Sequence, residues 1–582
     1  MTAVSEPLPQ TVEETPPPQP KPWCQCVVAA GVPTVLTGLH ATYYGQWIVD
    51  DAGLTFAYVR SLATGAGPVL QPGADPVEGY SNPAWVAVLV VGRWLGMFDH
   101  GTWFGTSDIV LFPKLVALLC CFGIFAAMFA IAIKVTSRPV FVTVIAGSAA
   151  SAVPSFVIWT TSGLENALFA LAVVAIAAVL ARAALDGRLL VYNTAIAVGA
   201  LAAVAALTRP EGIIYAAAFP VATALAIRSH SLRRALLSSL VSLAAFAFPT
   251  LSYLLWRLMT FGDYLPNTAR AKEQGLPSIA DLSKIGDLAG YVGWLAVCLG
   301  VAAVAVTLSR RSPVRTAVAM VLIPLGLAIA SFAILQPDWM SQFRFATPVW
   351  PLAATAVTLS VVHLLRDSSR QQRTTAAMLT AIVAVFSGHG FSVAEKEFRA
   401  QPTVGVCNIA QNTGYLFNGY ADILGIRDGT LLAVDGGGTA LTSRLRYVDL
   451  SGLAERRIAG YWQDDDMGGL RDYVLEEVRP TFVKVFWGWS ETDRLALTND
   501  PRFTQDYLLM FAGQRGAGEW VRRDAIPDRS TLKTARQWGG DTWNLINDRY
   551  RRVVPPIWWC GETLRPTPFH TGSPSASPIT EP

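Results

Sequence analysis

The sequence predicts a mainly α protein: a polytopic transmembrane helix bundle of about eleven spans, followed by an extracytoplasmic α/β domain. Three observations carry this. Of 582 residues, 52% are hydrophobic and only 15% charged, with a mean hydropathy of +0.38, whereas an ordinary soluble chain carries about 25% charged residues. Lipid must therefore serve as solvent. Apolar runs long enough to cross about 30 Å of hydrocarbon recur along most of the chain, and the short connections between them alternate between basic and non-basic. The net charge of +3 is small for this length and gives no reason to expect a nucleic-acid partner.

Taken in order, residues 1–23 are Pro-rich and acidic, without a basic leader or a small-residue cleavage site, and read as a disordered cytoplasmic tail. The transmembrane domain then covers residues 24–391. Its apolar runs begin near Cys26, Ile109, Val140, Leu164, Leu190, Gly212, Ala235, Ala289, Thr316, Thr347 and Thr374. Basic clusters at Lys134/Arg138, Arg182/Arg188, Arg228/Arg233/Arg234, Arg310/Arg311/Arg315 and Arg366/Arg370/Arg373 mark five cytoplasmic connections by the positive-inside rule. One more apolar run, Pro83 to Phe98, tests the scheme, because counting it as a span would invert every later loop. It therefore reads as a helix lying in the membrane interface. Residues 48–108 become one long outer loop, carrying this helix and an amphipathic one around Leu54 to Ala63.

Residues 392–582 form the extracytoplasmic domain. A strand over Thr430–Asp435, a helix over Leu470–Glu477 and a strand over Thr481–Trp487 make it α/β. The glycines of Asp435–Gly438 mark a turn at a strand end, which by itself is weak evidence for a phosphate site. The chain is thus expected in the plasma membrane, multi-pass, with its N-terminus cytoplasmic. Of seven cysteines, only Cys407 and Cys560 fall outside the bilayer, and an oxidising compartment favours their pairing as a disulfide.

The polar loops gather on the outer face. Asp50 and Asp51 stand where the first span leaves the membrane, and adjacent carboxylates there need either partners or a task. They could cap the helix that follows, or one could act as general base for an incoming hydroxyl while the other orients it or a metal. No His/Cys/carboxylate spacing defines a metal site; a divalent cation held by Asp50 or Asp51 is left open, and no other cofactor is implied.

The segment IVDDAGLTFAYVRSLATGAGPVLQPGADPVEGYSNPAW, Ile48 to Trp85, resembles the first outer loop of polyprenyl-phosphate-sugar-dependent membrane glycosyltransferases of the GT-C type. Within that class it is most similar to the family of the mycobacterial terminal arabinofuranosyltransferase. TSGLEN at Thr161–Asn166, RPEG at Arg209–Gly212, LPNTARAK at Leu265–Lys272 and PDWMSQFRFATP at Pro337–Pro348 extend the resemblance over most of the membrane region. It implies a GT-C-like bundle that transfers a sugar, arabinofuranose in that family, from a polyprenyl-phosphate donor to a cell-envelope glycan or other extracytoplasmic acceptor. It also implies a catalytic acid on the first outer loop, at Asp50 or Asp51, with Asp50 preferred.

A departing phosphate needs cations, and Arg209, Lys272 and Arg344 are the candidates. Each has a plainer reading: Arg209 could pair with Glu211, Lys272 could snorkel and Arg344 could anchor a helix end. Glu78, Tyr80, Asn82, Glu165, Asn166, Glu211, Asn267 and Trp339 are candidates for binding sugar or acceptor, against the simpler role of satisfying backbone groups in re-entrant turns. The competing class is a transporter or flippase for a lipid-linked sugar, which would show inverted repeats and polar groups at mid-depth. The sequence shows neither.

Overall fold

Each of the eleven apolar runs coincides with helical structure in the computed structural model, which describes residues 21–226, 231–272, 279–486, 495–513, 517–552 and 563–570. In chain order the helices are α1 Pro22–Ala41, α2 Asp50–Ala63, α3 Pro83–Trp94, α4 Asp108–Val135, α5 Pro139–Ser151, α6 Pro154–Thr160, α7 Asn166–Leu185 and α8 Tyr192–Thr208. They continue with α9 Ala218–Ala226, α10 Leu232–Phe261, α11 Asn267–Ala271, α12 Ser283–Val292, α13 Trp294–Ser309, α14 Pro313–Ile334, α15 Val349–Arg366 and α16 Arg370–Ala400. Seven helices among the described residues are long and apolar enough to cross a membrane, and the bent pairs α5/α6 and α12/α13 bring the number to nine. The protein is a multi-pass membrane protein.

The other two expected spans are short, and the reason is local. α8 has 17 residues, about 26 Å of helix against about 30 Å of hydrocarbon. Pro210 cuts it off and starts a 3-10 turn, Pro210–Ala217, that leads into α9. Proline also explains the 80° bend between α5 and α6, because Pro154 forces Val153 out of helical geometry. α3 has 12 residues, too few to span, as the charge pattern requires.

α7 is the central helix, packed on α4, α8 and α14, with 61% of its spanning window buried. The same window is 0% buried in α16, which places α16 at the periphery as a lipid-facing helix. The loop residues of α2 and α3 are held against the bundle by aromatic packing. Trp47 lies edge-on to Trp159, and its indole N–H donates to the Thr403 carbonyl at 2.8 Å.

A small hairpin, β1 Thr102–Trp103 with β2 Thr106–Ser107, precedes α4. The C-terminal domain is built on a five-stranded mixed sheet of β3 Thr430–Ala433, β4 Arg446–Asp449, β5 Phe482–Val485, β6 Tyr507–Ala512 and β7 Gly518–Arg522, in the order β4-β3-β5-β7-β6. β4, β3 and β5 are parallel, and β7 runs antiparallel to both β5 and β6. The expected strands at Thr430 and Thr481 are β3 and β5, although Trp487 lies outside the described residues. The expected helix at Leu470 is Met467–Asp472, continued as a π turn, Tyr473–Val478.

Bundle and domain meet at α2. Val49 bridges Gly405, the Asp50 N–H donates to the Val404 carbonyl at 2.9 Å, and the Val406 N–H to the Ile48 carbonyl at 2.9 Å. Two backbones then come together beside a short helix, Gly437–Thr442. A Cβ on Gly53 would lie 2.7 Å from the Gly437 carbonyl carbon, so only glycine permits this approach.

Candidate active site

The polar loops line an open cleft of about 980 Å³ at the end of the bundle that carries the C-terminal domain. Its charged wall residues are Asp51, Glu165, Arg209, Glu211, Lys272, Asp338 and Arg344. Each is placed by a feature of its own sequence. Asp51 is the second residue of α2. Glu165 precedes α7, after the turn that ends the bent α5/α6 pair. Arg209 is extended, at φ −148° and ψ 139°, because the residue before a proline is kept out of the α region. Gly212 completes that turn, where any Cβ would collide with the Ala205 backbone. Arg344 follows Gln342 and Phe343, both with positive φ (65° and 51°), an arrangement held only where the surroundings fix it.

Within the cleft nearly every charge is committed. The Arg209 guanidinium donates from Nε to Glu211 and from Nη1 to Glu165 Oε1 at 2.5 Å, and lies 4.9 Å from the Phe345 ring centre. Glu165 Oε2 accepts from Asn82 Nδ2 at 2.8 Å, which fixes the loop before α3 to α7. Arg344 Nε sits 2.8 Å from Asp338 Oδ2. The angle there is too poor for a hydrogen bond, so both atoms are buried without one; the contact is an ion pair with donor capacity in reserve. The exceptions are Asp51 and Lys272. Among the described residues the Asp51 carboxylate accepts no hydrogen bond, and neither side chain forms an ion pair.

Asp50, the acid preferred from sequence, is elsewhere. Its residue is 6% exposed and does not line the cleft. Oδ2 accepts from the Gly437 N–H at 3.0 Å and Oδ1 from the Gly438 N–H at 2.7 Å. Burial, with Asp435 nearby, pushes its pKa up, and the two N–H donors pull the other way. Successive helix residues point about 100° apart, and here the two carboxylates part: Asp51 lines the cleft and Asp50 faces the domain. The glycine turn after β3 thus does hold an acidic group, and that group is the protein's own carboxyl.

Of the remaining candidates, Tyr80, Asn82 and Trp339 line the cleft, with Trp339 62% exposed. Three do not. Glu78 is held by Arg257 Nε at 2.5 Å and Tyr253 Oη at 2.6 Å. Asn166 donates to the Arg344 carbonyl at 3.0 Å and Thr347 Oγ1 at 3.1 Å, shaping the turn that presents Arg344. Asn267 donates to the Gly452 and Leu453 carbonyls at 2.7 and 3.0 Å, tying the loop before Lys272 to the C-terminal domain. All three are buried framework residues rather than cleft wall. Asp338 is the charged wall residue that sequence reading passed over, although it stands in the quoted PDWM stretch. Leu453 and Trp462 of the C-terminal domain complete the wall, and no pattern in their segments announces it. Among the described residues no three His, Cys, Asp or Glu side chains gather in a set that could hold a metal ion. Cys407 is disulfide-bonded, and Cys560 lies outside the described residues.

No protein-family model matches the chain, and no curated protein matches it significantly in sequence. Solved structures do match. ArnT from Cupriavidus metallidurans in the apo state has a TM-score of 0.56 at 15% identity, covering 87% of this chain and 99% of ArnT. ArnT bound to undecaprenyl phosphate gives 0.55 at 13% identity, with the same coverage. The oligosaccharyltransferase AglB from Archaeoglobus fulgidus, in complex with an inhibitory peptide and a dolichol-phosphate, reaches only 0.48 at 11% identity over 87% of this chain and 75% of AglB. Over most of its length, then, the chain has the membrane fold of ArnT, a GT-C-like bundle with a C-terminal α/β domain.

Proposed function

We propose that the protein is a GT-C-type glycosyltransferase that moves a sugar from a polyprenyl phosphate to an extracytoplasmic acceptor, a cell-envelope glycan, with arabinofuranose as the sugar its loop motifs favour. One observation carries the reading: among the described residues, seven charged side chains line the cleft wall, and the two without a partner there are one carboxylate, Asp51, and one cation, Lys272. A transfer from a lipid phosphate needs that complement. The acceptor oxygen attacks the anomeric carbon, the bond from that carbon to the phosphate oxygen breaks, and polyprenyl phosphate leaves. Asp51 takes the acceptor's proton. Lys272 meets the charge that grows on the phosphate, joined by the spare donors of Arg344. Glu165 and Glu211 hold Arg209 beside them, and Tyr80, Asn82 and Trp339 contact sugar or acceptor. Asn166 and Asn267 keep the Arg344 and Lys272 segments in place.

The likeness to ArnT supports the donor class, since ArnT has been crystallised with undecaprenyl phosphate. The basic connections support a cleft on the extracytoplasmic side. A reporter after Pro582 is expected outside and one in the Arg310–Arg315 connection inside, and non-reducing peptide mapping should join Cys407 to Cys560. The decisive assay is transfer from a synthetic short-chain polyprenyl-phosphate arabinofuranose to an oligosaccharide, with the full-length protein in detergent. No sealed compartment exists there, so product formation separates an enzyme from a transporter. Full activity in Asp51→Asn, Lys272→Ala and Arg344→Ala together would place the chemistry elsewhere.

A further inference from the structure

Two further clefts adjoin one another, the first of them at the C-terminal domain's contact with the bundle. The first, about 660 Å³, lies between the C-terminal half of α2 and the start of β4, and is lined by Arg60, Arg93, Arg444, Arg446 and Arg565. The second, about 620 Å³, belongs wholly to the C-terminal domain and is lined by Arg446, Arg479 and Arg522. They share Asp428, Gly429 and Arg446, so they form one groove, and neither shares a lining residue with the sugar cleft. The carboxylates in their walls are Asp428 and Asp524.

Some of this charge is internally matched. Asp99 takes Arg60 Nη2 at 2.7 Å and Arg93 Nη1 at 2.9 Å, one carboxylate between two guanidiniums. Asp422 holds Arg444, and Asp524 holds Arg522 at 2.6 Å. Arg446, Arg479 and Arg565 are exposed and make no ion pair among the described residues. Arg565 gives one N–H to the Asp99 carbonyl, and Glu455 senses Arg446 only from beyond ion-pair range. These three stand at successive places along the groove: Arg565 in the first cleft, Arg446 where the clefts join and Arg479 in the second. Neither cleft is lined by all three, so an ion seated in one of them meets two at most.

We propose that this groove binds an anionic polymer, a glycan strand carrying phosphate or carboxylate groups at intervals, at a site separate from the sugar cleft. Guanidiniums form charge-assisted, often bidentate hydrogen bonds with either group. A run of them along an open channel favours a chain over an isolated ion. A membrane phospholipid is the less fitting occupant, because only Arg93 comes from the interface helix α3 and the second cleft contains no membrane-region residue. The assignment does not depend on which sugar the other cleft handles.

The test is fluorescence anisotropy of labelled poly(glycerol phosphate) and labelled oligogalacturonate with the full-length protein in phosphatidylcholine nanodiscs, against labelled neutral dextran. At least one anionic polymer should bind, dextran should not, and salt should weaken the binding. Arg446→Gln with Arg479→Gln should reduce affinity about tenfold, and Arg565→Gln should add to the loss. Melting temperature and sugar transfer to a short neutral acceptor should stay unchanged in both variants. Parent-like binding by the variants, binding no better than dextran, or competition by inorganic phosphate at equal phosphate concentration would overturn the proposal. So would loss of polymer binding in phosphatidylglycerol nanodiscs, which would give the groove to a lipid headgroup.

Discussion

The two sides of α2 differ in what they leave undone. On the side facing the C-terminal domain, Asp50 has both carboxylate oxygens occupied by backbone N–H groups and Gly53 lies against Gly437 with no room for a methyl group. On the cleft side, one residue later, Asp51 has an open carboxylate in a wall where every other acid is paired. A saturated polar group stabilises structure, and an unsaturated one in a cavity is available for chemistry. Within one dipeptide, Asp50 is committed to the framework and Asp51, the residue proposed to react, is left open.

The sharpest way to break it is to swap the defects. Asp51→Asn should lower turnover by about a hundredfold or more while leaving the melting temperature near the parent's. Asp50→Asn should do the reverse first, costing roughly 1.5–3 kcal/mol of stability as one buried acceptor becomes a donor, with activity falling only as far as docking of the domain loosens. If Asp50→Asn melts like the parent yet abolishes turnover, the roles are exchanged. A graded lesion sharpens the cleft side: Arg344→Ala should be severe, and Arg344→Lys partial, since a point charge replaces a fork. Steady-state kinetics should show the loss in kcat more than in donor KM.

On the domain side, Gly437→Ala places a methyl group into the Asp50 carbonyl, and about 1–3 kcal/mol of stability should go with it, read by denaturant unfolding. The most gradual effect is one of pH. Burial first, then Asp51 and Asp449, against the pull of Lys484, raise the pKa of Asp435 from 3.8 to about 6. The folded state therefore binds this proton more tightly than the unfolded one. The resulting stability is full below about pH 4 and is lost as pH rises through 6, roughly 3 kcal/mol across the window. Melting temperature should decline over that window in the parent and decline less in Asp435→Asn.

Much of the architecture was legible because lipid imposes length and charge rules on every span. The breaks at proline were not, since a proline in an apolar run reads as a kink or a boundary only once its neighbours are packed; the two runs that meet at Pro210 stay short, hence nine candidate spans among the described residues where about eleven were expected. The cleft's charged loops could be collected from their motifs, and Arg209 with Glu211 could be paired on sight. What could not be read was direction. Which of Asp50 and Asp51 meets the cleft depends on a glycine turn almost 400 positions away, and Trp462 enters the wall through a domain fold that no local pattern specifies. Glu78, Asn166 and Asn267 look like ligand-binding residues in sequence because framework and function use the same polar side chains.

The seam at α2 also bears on whether the two halves can be separated. A truncation after Ala400 would remove Val404, Val406, Gly437 and Gly438 together, and with them the partners of Ile48 and of both the N–H and the carboxylate of Asp50. The exposed acid and a helix start without support would sit at the membrane surface, one residue from the group proposed to do the chemistry. The membrane half is therefore not an independent module, and a shortened chain should insert into the bilayer yet leave its first outer loop unformed.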